Sequence, residues 1–97
     1  MSNLRVVYPG TFDPFTRGHD NLVRRAAGMF DHVTVAVAES QRKAPFFLLA
    51  DRVAMTREVL ADVSNVEVRS FDCLLNDFLT QIGTTCVLRG LRAVSDF

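Results

Sequence analysis

Thr11, Thr16, Gly18 and His19 lie close together in Tyr8-Pro9-Gly10-Thr11-Phe12-Asp13-Pro14-Phe15-Thr16-Arg17-Gly18-His19, and their residue types suit an anion. The threonines supply hydroxyls, and Gly18 removes a side chain where another group could approach the backbone closely. His19 falls where a helix is expected to begin, near main-chain N–H groups and the positive end of the macrodipole, so its imidazole can donate to a phosphate oxygen. Cations recur elsewhere. Lys43 is the only lysine among eleven basic residues, and Arg89 and Arg92 straddle Gly90 directly after an apolar run. A crevice lined by His19, Lys43, Arg89 and Arg92 would suit a polyphosphate. Nucleotidyl transfer asks a protein for positioning and charge stabilisation more than for covalent help. The expected chemistry is in-line attack on an α-phosphate, with His19 and the cations gripping the developing equatorial charge. The plainer alternatives are a capped turn with a solvent-facing histidine, and a solvated loop lysine.

These residues need elements to carry them. Leu4, Val6 and Val7 predict a buried strand before the first loop. Leu22, Val23, Ala26, Ala27 and Phe30 give one apolar face to a helix over Asp20–Phe30. Val33–Ala38 reads as a strand buried on both faces, followed by a polar loop over Glu39–Pro45. A second helix is predicted over Leu49–Asp62, with Val53, Leu60 and one of Met55 or Val59 turned inward. Leu48 stands where a capping side chain would be expected. Asn65–Arg69 predicts a third strand. Leu74, Leu75, Phe78, Leu79 and Ile82 form the face of a third helix that Gly83 would cap. Thr84–Leu88 reads as a fourth strand.

The order β-α-β-α-β-α-β predicts a doubly wound parallel α/β sheet with right-handed crossovers. In the order 3-2-1-4 the switch point lies between strands one and four, where ligands bind at the carboxyl ends. That arrangement brings the Thr11–His19 loop beside Arg89-Gly90-Leu91-Arg92, with the Lys43 loop flanking the same crevice. Asp13 is expected to brace the first loop by accepting main-chain N–H bonds, and His32 to be structural or exposed. Phe71 reads either as core or as the lining of a pocket for a long acceptor chain.

Composition narrows the class. The 97 residues suit one domain, and 48% hydrophobic content can fill a core. Eleven acidic residues balance eleven basic ones, so neither nucleic acid nor an anionic membrane is an expected partner. No signal-peptide pattern or bilayer-length apolar run occurs. Cys73 and Cys86 lack metal-ligand spacing and read as reduced, small core residues of a cytoplasmic protein. The dinucleotide fingerprint, the Walker phosphate loop and any acyl-transfer triad are all missing from the sequence.

Thr16-Arg17-Gly18-His19 resembles the (T/H)xGH signature of nucleotidyltransferases whose Rossmann-like fold is shared with class I aminoacyl-tRNA synthetases. The longer Tyr-Pro-Gly-Thr-Phe-Asp-Pro run is similar to bacterial phosphopantetheine adenylyltransferases. So are Phe30-Asp31-His32-Val33, the loop lysine before Pro45, Asn65-Val66-Glu67-Val68 and Arg89–Phe97. That family transfers AMP from ATP to 4′-phosphopantetheine with Mg²⁺, giving dephospho-coenzyme A and pyrophosphate. The resemblance implies that Thr11 touches both substrates, Phe12 offers backbone to ATP, and His19 stabilises the transition state at the α-phosphate. It implies Lys43, Leu75 and Arg89 for phosphopantetheine, and Gly90, Leu91 and Arg92 for ATP, in a cytoplasmic homohexamer. Family members continue past the position of Phe97 into a second, Ser-rich phosphate motif. The expectation is therefore that these residues are the N-terminal part of such an enzyme, with feeble turnover by themselves. A non-catalytic nucleotide-binding module and a nucleotidyltransferase with another phosphorylated acceptor are the alternatives.

Overall fold

The computed structural model describes residues 4–39, 47–84 and 86–88. Three strands, β1 (Arg5–Gly10), β2 (His32–Ala38) and β3 (Val66–Phe71), alternate with three helices, α1 (Arg17–Met29), α2 (Leu49–Val59) and α3 (Leu75–Ile82). The sheet is parallel in the order β1-β2-β3, with Val7 opposite Thr34 and Val35 opposite Val68. Side chains alternate across it. Val6, Tyr8, Val33, Val35, Val37 and Val68 pack with Val23 and Ala26 of α1 and Val53 of α2. Val7 and Ala36 face the other way, against Phe78 of α3. This is the α/β Rossmann-like arrangement that the order of elements predicts.

Several element boundaries differ from the expectations. β1 continues through Pro9 and Gly10, so the first loop begins only at Thr11. α1 starts earlier, at Arg17, and takes Gly18 and His19 into its first turn. α2 stops at Val59, and Leu60 is buried in the turn that follows while Val59 is 44% exposed. The inward residues of α2 are Arg52, Val53 and Thr56. Leu74 precedes α3 instead of facing its core and is 75% exposed. Leu48 makes no side-chain cap and Gly83 adopts a left-handed cap with φ 88°, both as expected.

Among the described residues, the segment expected as the fourth strand pairs through a parallel bridge, Val7 to Val87, on the side of β1 away from β2. Val7 N–H donates to Cys86 O at 3.0 Å, and Leu88 N–H donates to Val7 O at 2.8 Å. The Thr84 hydroxyl, 3.0 Å from Arg5 O, takes the place a ladder amide would hold. The expected neighbour relation between strands one and four thus holds at Val7 and Val87. Both cysteines are free thiols. Cys73 is half-buried against the Phe78 cluster, but Cys86 is exposed, unlike the core residue expected there.

Polar contacts tie the helices to the sheet. The Asn65 amide donates to Ala27 O and Phe30 O at the end of α1. Arg24 bridges Asp20 on its own helix to Asp62 beyond α2, at 2.9 Å each. Donating to Asp62 and Asp20 holds the Arg24 guanidinium above its ordinary range, and accepting from Arg24 holds the Asp62 carboxyl below its own. His32 Nε2 lies 3.0 Å from Glu67 Oε1, which also accepts the Thr34 hydroxyl, so His32 is structural. Phe71 stacks on Phe78 with centroids 4.8 Å apart, which fits the core reading of that residue.

Candidate active site

Each strand of a parallel sheet delivers its following loop to the same edge, so the starts of α1, α2 and α3 share the carboxyl edge of this one. The loop from Thr11 to Thr16 leaves β1 there and turns directly into α1. Phe12 sets its course with φ 51°, an uncommon conformation for a bulky residue, and its ring is 4% exposed. A β-carbon on Gly10 would come within 2.8 Å of the Phe12 ring, so the ring folds back against the bare strand end. Tyr8 meets it edge-on at 5.2 Å, Phe15 lies at 5.5 Å, and the His19 imidazole stands perpendicular to it at 5.0 Å. Asp13 braces the loop as expected, its Oδ1 accepting Phe47 N–H at 2.8 Å.

His19 is the third residue of α1 and closes a capping box. The Thr16 hydroxyl accepts His19 N–H at 3.4 Å, and Thr16 N–H donates to His19 Nδ1 at 2.9 Å. A nitrogen that accepts an N–H cannot carry the proton of a neutral imidazole. The neutral ring therefore bears it on Nε2 and is a donor there. The ring plane is set by Phe12, Phe15 and Tyr8 around it, at 5.0, 5.5 and 6.3 Å. Thr11 and Thr16 are exposed and His19 is half-buried, with the Thr16 hydroxyl 3.0 Å from His19 Nδ1.

Of the candidate residues, the structure brings Thr11, Phe12 and His19 together. Leu75 is the first residue of α3, half-buried, on the other face of the sheet but at the same carboxyl edge. Lys43, Arg89, Gly90, Leu91 and Arg92 lie outside the described residues. Among the described residues, no three histidine, cysteine or carboxylate side chains gather to hold a metal ion. No described helix is long and apolar enough to cross a membrane.

One residue was missed by the sequence reading. Arg52 is 1% exposed, and its guanidinium reaches Phe47 O at 3.0 Å, Thr11 O at 2.9 Å and Ala38 O at 2.8 Å. The available signal was the inward stripe Leu49, Arg52, Val53, Thr56, Leu60, in which an arginine occupies a core position of an otherwise apolar spacing.

The chain is 65% identical over 94 residues to a phosphopantetheine adenylyltransferase of Thiobacillus denitrificans, covering 97% of this chain and 59% of that protein. It is 60% identical over 97 residues to the same enzyme of Methylobacillus flagellatus, covering 100% of this chain and 61% of the relative. The chain thus spans about three fifths of the length of the curated relatives it matches. The crystal structure of NadR protein in complex with NAD and AMP-PNP superposes with a TM-score of 0.71 at 19% identity, over 97% of this chain and 33% of that one, a likeness of fold. The model of the cytidylyltransferase-like family matches residues 7–97, taking in the first loop, the capping box and all three helices, and the chain belongs to that family.

Proposed function

We propose that residues 1–97, as the N-terminal part of a single nucleotidyltransferase domain, take part in transfer of AMP from ATP to 4′-phosphopantetheine. A phosphate oxygen of phosphopantetheine attacks the α-phosphorus of ATP, the bond to the β-phosphate oxygen breaks, and pyrophosphate leaves with the electron pair. Dephospho-coenzyme A is the other product. The observation that carries the reading is the orientation of His19 at the start of α1: Nδ1 accepts Thr16 N–H, so the neutral ring carries its proton on Nε2, at the carboxyl edge of the sheet where the reading puts the α-phosphate. The identity to adenylyltransferases over the whole chain supports the choice of substrates.

In this reading Thr11 and the Phe12 main chain meet ATP, with Thr11 also touching the acceptor's phosphate. Lys43, Leu75 and Arg89 hold phosphopantetheine, and Gly90, Leu91 and Arg92 hold ATP. Mg²⁺ comes with the nucleotide as part of the substrate, since phosphate oxygens and water are its usual ligands and the described residues offer no cage. When bound it neutralises charge on the phosphates. The protein works in the cytoplasm as a homohexamer, a state that light scattering on the purified protein tests.

A pyrophosphate-release assay on the full-length gene product, with ATP and Mg²⁺, tests the activity. Saturable release with 4′-phosphopantetheine and none with nicotinamide mononucleotide is the expected result. Release with the second acceptor alone, or with neither, would overturn the assignment.

A further inference from the structure

We infer that Arg52 is a positioning residue for the nucleotide-binding loop, an assignment that rests on the adenylyl-transfer reading above. Its place in the fold is unusual for an arginine. The side chain is 1% exposed, at the first buried turn of α2, and among the described residues the guanidinium donates to main-chain carbonyls and to no carboxylate. Burying a cation with main-chain carbonyls as its acceptors is costly. A leucine or methionine would avoid that cost but would leave the three carbonyls without these donors. What the guanidinium supplies, and they cannot, is a rigid fork of donors that fixes several acceptors at once.

The acceptors identify what is fixed. Ala38 O is the last carbonyl of β2, Phe47 O lies two residues before α2, and Thr11 O is the first carbonyl of the loop from β1. A single Nη1 holds both Thr11 O and Ala38 O, so the loop is tied to the neighbouring strand end. Peptide planarity extends the effect by one group. With Thr11 C=O turned toward Arg52, the N–H of Phe12 in the same trans peptide must point the opposite way, away from α2. Phe12 is also the residue with φ 51°, so this peptide plane decides where its ring goes. The ring in turn abuts the His19 imidazole at 5.0 Å. Arg52 therefore acts on the phosphate-facing groups through Thr11 and Phe12 without reaching the nucleotide itself.

The test compares Arg52→Lys and Arg52→Met with Thr56→Val in the full-length protein. Thr56 is equally buried on the same helix, but its hydroxyl donates only within the helix, to Arg52 O at 2.7 Å, so it controls for general damage to α2. Two readouts are taken well below each variant's melting temperature: amide hydrogen exchange, and the affinity for ATP by calorimetry. Both arginine variants are expected to speed exchange over residues 11–19 at least tenfold and to weaken ATP at least tenfold. Thr56→Val should change neither beyond twofold. Should Arg52→Met fail to fold, Arg52→Lys, which keeps the charge and loses the fork, decides alone. Unchanged loop exchange and ATP affinity in Arg52→Lys would overturn the assignment. A wild-type protein that binds no ATP would instead defeat the adenylyl-transfer reading, while the exchange readout still reports whether Arg52 sets the loop.

Discussion

The imidazole of His19 turns back on the residue that starts its own helix, with Nδ1 2.9 Å from the main-chain nitrogen of Thr16 and 3.0 Å from its hydroxyl. One ring nitrogen thus caps α1, and the proposed reaction gives the same side chain a second duty toward substrate. The two can be separated. Glutamine at this third helical position can still complete a capping box, so His19→Gln should melt near the wild-type temperature. Its turnover should nonetheless fall by about 10²–10³-fold, the usual cost of losing one donor to developing negative charge. His19→Ala should lose the same activity and also about 1 kcal/mol of stability. Steady-state kinetics beside thermal melts will check both.

Gly10 makes a different prediction, because the obstacle there is steric. Gly10→Ala would set a methyl group 2.8 Å from the Phe12 ring, inside normal contact distance. The ring is buried and cannot simply swing into solvent. Gly10→Ala should therefore cost about 1–3 kcal/mol, as overpacking does, and raise the KM for ATP by disturbing the groups beside His19. Denaturant midpoints and an ATP titration will show it. An unchanged KM would separate the ring's packing from the site.

Acid sensitivity follows from Glu67. Burial would raise its pKa, but the bonds from His32 and Thr34 outweigh burial and hold it below the ordinary value of 4.5. A carboxyl depressed on folding contributes stability above that ordinary value and loses it as pH falls through the lowered one. The Glu67→Gln variant should be less stable than wild type at pH 7, and the difference should shrink on acidification below 4.5. Denaturant unfolding from pH 7 to pH 3 measures that convergence; parallel curves would count against it.

At Gly83 only the backbone is at stake. Its φ of 88° caps α3, and a β-carbon would meet nothing within 4 Å. Gly83→Ala should cost roughly 1–2 kcal/mol from the left-handed conformation, with Gly83→Asn milder. Equilibrium unfolding of the two variants tests the ordering, and turnover should stay unchanged because Gly83 is no part of the proposed site.

Much of this was legible in the residues. The β-branched run at Val33–Val37 and the paired apolar spacings of α1 and α3 fixed the alternating order, because burial on both faces of a parallel sheet leaves a strong signature. The loop from Thr11 to His19 and the brace at Asp13 were visible for the same local reason. What escaped was Arg52. An arginine on a helix is ordinarily a solvated residue, and its meaning here depends on carbonyls brought in from three separated segments.

The bond between Arg52 and Thr11 spans 41 positions of the chain. A ribosome that has released only the first strand and helix has therefore not yet supplied the group that sets the curve between them. Closing so wide a separation carries an entropic cost that local turns avoid. The bend between β1 and α1 matures only when a later helix docks, so the end of the sheet that holds the proposed site is finished by a segment outside that site.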